Sequence, residues 1–273
     1  MTILIILMIK FGIIRINWRF LMINKIVKRT IKAFTLAEVL VTLGVIGVIA
    51  ALTLPQLIMD FQGKILHAQL LKAYSVLSQA LERMSVEENQ VVNAANYYPY
   101  KFKPVFIKYF ITFKDCGNKD CENMENDSFN MPDDESLYLK IENYYTYTLD
   151  RNIKSAFLDD GQFIFSDGMF VMIENVAASD LFISVDVNGV GKEPNAWGHD
   201  LFTFQVTDDG RLLPMGALGT RYTNMSLYCS PTSSDVQNGI ACTEKALRDS
   251  KYFKNLPRGK KLLTEKNVWV KLK

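Results

Sequence analysis

Acidic residues are missing from the first 33 positions, histidine occurs twice in 273 residues, and no Cys-x-x-Cys pair is present. Each absence excludes something. The only histidines are His67 and His199, and the chain has no Gly-x-Ser-x-Gly elbow, no His-Glu-x-x-His helix, no P-loop and no Rossmann fingerprint. The usual constellations for acyl transfer, zinc hydrolysis, nucleotide hydrolysis and dinucleotide chemistry are therefore lacking. His67 falls in a helical stretch, and His199 beside Asp200 reads as a solvated loop residue rather than half of a dyad. The chain is read as a non-enzyme. No internal repeats are visible. Hydrophobic residues at 49% and charged residues at 22% suit a globular protein.

The missing acid at the N-terminus conceals a second asymmetry. The formal charge is +2, yet Lys10, Arg15, Arg19, Lys25, Lys28, Arg29 and Lys32 all precede Phe34, and the chain from Phe34 onward holds 24 basic against 29 acidic residues. An acidic remainder argues against a nucleic-acid partner, which needs a basic face. Residues 1–21 are rich in Ile but broken by Lys10, Arg15, Trp18 and Arg19, with no uncharged run long enough to span a bilayer. Either translation starts at Met22 and residues 1–21 lie upstream of the true start, or they form an amphipathic leader on the membrane surface.

From Val39 to Leu54 every residue is apolar, Gly or Thr. The wider stretch Phe34–Leu54 is about 31 Å long as a helix, close to the hydrocarbon thickness. Lys25, Lys28, Arg29 and Lys32 just before it favour a cytoplasmic N-terminus and an outward-facing remainder. An ordinary signal peptide has its small residues after the apolar run. Here the small residue, Ala33, comes before it. Inside the run sits Glu38, with no cation nearby in sequence. An unpaired carboxylate in lipid costs several kcal/mol and is by default functional. Cleavage before Phe34 would create a cation, the new α-amino group. The competing state of Glu38 is a surface carboxylate accepting water among the headgroups.

The residues Ala33 to Pro55, AFTLAEVLVTLGVIGVIAALTLP, resemble the processing site of type IV prepilins and type II secretion pseudopilins. That pattern is a basic leader, a small residue, Phe-Thr-Leu, a Glu at the fifth mature position and an apolar run ending in Pro. Ala33 stands where the family usually has Gly, and Ala37 where a larger aliphatic residue is usual. The resemblance implies cleavage between Ala33 and Phe34 by a prepilin peptidase and N-methylation of Phe34. It implies assembly with other pilin or pseudopilin subunits through the N-terminal helix, driven by a platform protein and an ATPase. Glu38 would neutralise the N-terminal ammonium of a neighbouring subunit, two charges that are costly alone and acceptable together in a low-dielectric bundle. Pro55 would mark the end of the assembly segment.

Beyond Pro55, Ile58, Phe61, Ile65, Leu70, Ala73, Leu77, Ala80, Leu81 and Met84 recur at helical spacing. They predict an amphipathic continuation whose stripe packs on a C-terminal domain, giving one helix of roughly 75 Å that Pro55 kinks or locally melts. Residues 85–150 read as irregular loop or short helices. After them, FLDDGQFIFSDGMFVMIEN predicts strands joined at Asp160-Gly161 and Asp167-Gly168. LFISVDVNG and DLFTFQVTDDGRLLP predict further strands, with a turn at Asp209-Gly210. The expected fold is α+β, a long, partly transmembrane N-terminal helix on a C-terminal antiparallel sheet, pilin-like in arrangement. The domains are a leader (1–33), a transmembrane and assembly helix (34–55), its amphipathic continuation (56–85) and an extracytoplasmic β-rich domain (86–273).

Four cysteines remain, Cys116, Cys121, Cys229 and Cys242. Outside the membrane, local disulfides Cys116–Cys121 and Cys229–Cys242 are the natural reading; a four-thiolate zinc site is the alternative, weakened by the missing tight pairs. The stretch SVDVNGVGKEPNAWGHDLFTF places Asp186, Asn188, Asn195 and Asp200 on a Gly-containing loop between two strands. These are the hard oxygens calcium takes, though the spacing is not that of an EF-hand. The loop is similar to segments of some pseudopilin-like proteins, a family in which calcium loops occur. The alternative is an Asx-rich turn capping its own backbone.

Taken together, these features predict a single-pass inner-membrane subunit of a type IV pilus or type II secretion pseudopilus. The alternative is a membrane-anchored extracytoplasmic binding module or adhesin that does not polymerise.

Overall fold

A computed structural model of the chain describes residues 35–117, 144–153, 157–175 and 177–257. Ala33, Phe34 and Cys121 lie outside the described residues. Residues up to Leu52 and those from Thr53 onward form two compact units.

Helix α1 runs from Leu36 to Glu87. Its first unit is a run of Leu, Val, Ile and Ala with exposed side chains, and the helix contains a span long and apolar enough to cross a membrane. Helical structure continues through Pro55, so the helix does not melt there. Proline removes one hydrogen bond there, and the turns on either side keep theirs.

In the second unit α1 docks on the rest of the domain through Leu70, Ala73, Leu77, Ala80, Leu81 and Met84, all buried. The first three members of the expected stripe do not join them. Ile58, Phe61 and Ile65 are 49%, 56% and 55% exposed. The docked face begins instead at Gly63 and Leu66. A Cβ at Gly63 would lie 3.0 Å from Phe253 Cβ, so the missing side chain admits that residue's backbone. Two polar contacts accompany it, His67 Nε2 to Leu247 O at 3.3 Å and Lys254 Nζ to Asp60 at 3.1 Å.

Residues 85–117 hold short helices, as expected: α2 (Ala94–Tyr97), capped by the Asn93 side chain, and α3 (Phe102–Phe106), which passes into a 3-10 turn, Ile107–Tyr109. They also hold an unexpected strand, β1 (Thr112–Asp115). It pairs antiparallel with β2 (Gly161–Phe165). Then come β3 (Phe170–Glu174), β4 (Phe182–Asp186), β5 (Leu201–Val206) and β6 (Leu212–Pro214). The six strands form one antiparallel sheet in the order β1-β2-β3-β4-β5-β6. Asp167-Gly168 and Asp209-Gly210 lie in the β2–β3 and β5–β6 connections, as expected. Asp160-Gly161 does not join two strands. Asp160 sits at the entry to β2, its N–H donating to Ile173 O at 2.9 Å.

Every residue of β3 and β4 is buried, so the middle of the sheet is covered on both faces. The core is aromatic: Phe102, Phe106, Phe163, Phe170, Phe182, Phe202, Phe204 and Trp197 are all fully buried. Tyr74 of α1 stacks on Phe204 of β5 at 5.7 Å, which ties the helix stripe to the sheet. After β6 the chain forms α4 (Met225–Tyr228), α5 (Cys242–Arg248) and a 3-10 turn, Tyr252–Asn255.

Candidate functional site

At the start of α1 the sequence Thr35-Leu36-Ala37-Glu38 makes a reciprocal cap. Thr35 N–H and Oγ1–H both donate to Glu38 Oε2 at 2.8 Å, and Glu38 N–H donates to Thr35 Oγ1 at 3.3 Å. A Thr followed three residues later by Glu ahead of an apolar run is the capping-box signal. Sequence reasoning missed it by looking for the partner of Glu38 on another chain.

The second site is the connection between β4 and β5. Asp186 ends β4, and Asp200 immediately precedes β5. The hydrogen bonds of the connection fold it back on both carboxylates. Asp186 Oδ1 accepts the N–H groups of Asn188 and Gly189 at 3.3 and 2.9 Å. Asp186 Oδ2 accepts the phenolic O–H of Tyr144 at 2.6 Å. Asp200 accepts the N–H groups of Ala196 and Asn195 at 2.7 and 2.9 Å, and Asn188 Nδ2 at 3.5 Å. All four expected oxygen-bearing residues are thus brought into one hydrogen-bonded loop. Asp186 and Asp200 are fully buried. Among the described residues, no Lys or Arg forms an ion pair with either.

Two buried carboxylates without a cation are electrostatically unsatisfied. Burial holds the Asp186 carboxyl well above the usual range, and the Asp200 charge adds to this; the bonds from Tyr144, Gly189 and Asn188 oppose it. Burial likewise pushes Asp200 up to about 7, against the N–H groups of Ala196 and Asn195. Tyr144, raised well above its ordinary value by burial first and then by Asp186, stays a donor.

The two amide side chains point to what would satisfy the pair. Asn188 Nδ2 donates to Lys192 O at 3.2 Å, and Asn195 Nδ2 to Val190 O at 3.0 Å. Carbonyls only accept, so these bonds fix which amide atom is nitrogen. The opposite atoms, Asn188 Oδ1 and Asn195 Oδ1, are buried and have no hydrogen-bond partner. Buried orphan acceptors beside uncompensated carboxylates are the oxygen types that a hard cation such as calcium takes. The Asx-turn bonds at Asp186 and the N–H groups on Asp200 coexist with this, because, among the described residues, Asp186 Oδ2 and Asp200 Oδ1 each accept a single hydrogen bond and keep a free lone pair.

His199 is buried rather than solvated. Its Nε2–H donates to Tyr147 O at 2.9 Å, and burial lowers its pKa to about 4, so it is neutral. It therefore supplies no positive charge to Asp200. Tyr144 is the residue of the site that sequence reasoning missed; it lies 42 positions before Asp186, and no local pattern links them.

Cys229 and Cys242 form a disulfide. Cys116 is also disulfide-bonded, and its expected partner Cys121 lies outside the described residues. A further acidic group, Asp159, Asp160 and Glu174, brings its carboxylate oxygens within 4.8 Å of one another. One Asp160 oxygen is already taken by Asn175 N–H at 2.7 Å. Compared with protein-family models, with characterised proteins and with solved structures, the chain matches none.

Proposed function

We propose that the chain is a pilin-like structural subunit and performs no chemistry itself. A prepilin peptidase cuts between Ala33 and Phe34 and methylates the new Phe34 amine. Residues 34–55 cross the inner membrane with the N-terminus cytoplasmic and the domain outside. A platform protein and an ATPase then assemble the subunit with other pilin or pseudopilin chains into a pilus or pseudopilus. Glu38 carries this reading. It is the one charged residue between Phe34 and Met59, placed on the first turn of a helix whose large apolar side chains stay exposed as far as Ile65. Among the described residues its bonds to Thr35 fall on Oε2 alone, so Oε1 remains for the ammonium of a neighbour.

Intact mass of the membrane-extracted chain tests processing; a chain that keeps Lys32 in cells with active peptidase counts against it and favours an anchored binding module. Glu38→Ala should remain membrane-inserted and fall out of sheared filaments, read by immunoblot. Incorporation at the wild-type level would contradict the pairing role.

Asp186, Asn188, Asn195 and Asp200 hold one calcium ion in this reading. The ion supplies the positive charge that keeps both carboxylates ionised in the interior. Their hydrogen bonds from Tyr144 and the loop N–H groups orient the carboxylates for it, and the two Asn Oδ1 atoms complete the protein's share of the ligands. Binding only the folded state raises the melting temperature with calcium concentration. The full chain in detergent, melted in EDTA and in millimolar calcium, tests this. Equal midpoints would leave the loop as a self-capping turn.

A further inference from the structure

The calcium loop touches a second constrained element. Residue 195 is bound to the segment Tyr144–Tyr147: Tyr145 N–H donates to Asn195 O at 2.8 Å, and Trp197 N–H to Tyr145 O at 3.0 Å. Tyr144 of the same segment donates to Asp186. Three residues on, Tyr147 N–H donates to Asn238 O at 2.8 Å. Asn238 is buried inside the stretch closed by Cys229–Cys242 and holds it in shape. Its Nδ2 donates to Ser230 O and Ser233 O at 2.8 and 3.0 Å, and its Oδ1 accepts Ser230 N–H at 3.0 Å. The loop also meets the disulfide directly. Gly198 lies between Asn195 and Asp200 at φ +76°, and a Cβ there would fall 2.9 Å from Cys242 Cβ, from Tyr147 Cδ2 and from the Tyr252 hydroxyl. Tyr252 O–H donates to Gly198 O at 2.7 Å. No side chain fits in that junction, so the loop and the disulfide cannot shift independently without opening a packed contact.

We propose that the cation loop and the disulfide-closed segment are one cooperative unit tied by Tyr144–Tyr147, so that cation binding and the Cys229–Cys242 bond strengthen each other. This rests on the calcium reading of the loop. Binding coupling is reciprocal: if the bond favours the conformation that holds the ion, the ion favours the conformation that holds the bond. The chain is thereby sensitive in one place to two properties of the extracytoplasmic space, its calcium level and its oxidising power.

The test uses the full chain in detergent and calcium chloride as the probe. Calorimetric titration should show calcium binding about tenfold weaker in the double variant Cys229→Ser/Cys242→Ser than in the oxidised wild type, toward the lower end of such couplings. Equal affinities would overturn the proposal. Hydrogen exchange of the oxidised wild type needs no variant. Calcium should slow exchange at the loop amides Asn195 and Trp197, and equally at Tyr147 and at Gly239, whose N–H donates to Tyr228 O within the closed segment. Protection confined to residues 186–200 overturns the coupling and leaves the calcium site standing. Absence of calcium binding by the wild type sinks both.

Discussion

If the carboxylates of the β4–β5 connection hold calcium as proposed, protons compete with it in a pH-dependent way. Asp200 titrates at about 7 when folded, against a reference of 3.8. Between those values the cation-free folded chain holds a proton that the unfolded chain has released. Its stability from this group is therefore present at low pH and lost as pH rises toward 7. His199 works in the opposite sense. Lowered to about 4 from 6.5, it makes the folded chain lose stability as pH falls through that window, because only the unfolded chain takes up the proton. Calcium must displace whatever proton the carboxylates hold. Its apparent affinity should fall by about tenfold, at least, between pH 8 and pH 6, since one group near 7 is then mostly protonated. The calcium-induced rise in melting temperature should likewise be larger at pH 8 than at pH 5. An affinity independent of pH over this range would exclude Asp200 as a ligand. The sequence displayed the oxygens of this site but not Tyr144 or the burial of His199. Both depend on residues 144–147 crossing the 195–199 stretch, a contact no local spacing encodes.

On the proposed reading, the buried and the exposed stretches of the α1 stripe serve folding and assembly respectively. Leu77 is fully buried in the core, and Leu77→Ala should cost about 2–5 kcal/mol by lost transfer energy and cavity formation, measured by denaturant unfolding of the domain. Phe61 is 56% exposed, with Lys64 Nζ 5.7 Å from its ring centre. Phe61→Ser should leave that unfolding curve within about 0.5 kcal/mol of wild type and reduce recovery of the chain in sheared filaments. The reverse pattern would mean that the helix docks through a different face. Periodicity made the helix itself legible, yet it assigned Ile58, Phe61 and Ile65 to the core. Spacing reveals that residues share a face; it does not reveal what covers them. The strands were legible for a different reason, since aromatic and β-branched runs bounded by Asp-Gly turns leave few alternatives. Strand β1 escaped notice because Thr112–Asp115 is short, alternates partly buried and exposed residues, and comes after a lysine-bearing stretch of short helices.

At the scale of the molecule, the Cys229–Cys242 disulfide constrains a stretch with little regular structure. Cys229 and Cys242 are 13 positions apart, and the closed stretch between them contains turns but no strand. Replacing both by Ser should lower stability by about 3 kcal/mol through the freed chain entropy of the unfolded state, read from the midpoint of chemical denaturation in EDTA so that calcium does not contribute. A loss well under 1 kcal/mol would place the stability of this region in Asn238 and its carbonyl partners instead.

The strand order β1-β2-β3-β4-β5-β6 also bears on how the domain comes into being. Among the described residues, each strand from β3 to β6 pairs with its predecessor across a short connection, so this part of the sheet does not wait for a distant partner, and pairings of this kind form quickly. The helix has no such advantage. Leu70 to Met84 are made first, and β5, whose Phe204 stacks on Tyr74, emerges more than a hundred residues later. If the anchor keeps its N-terminus in the cytoplasm and the chain after Pro55 is translocated in order, that stripe spends most of translocation uncovered, and the interval before Val206 emerges is when the subunit is most exposed to proteases and to wrong partners.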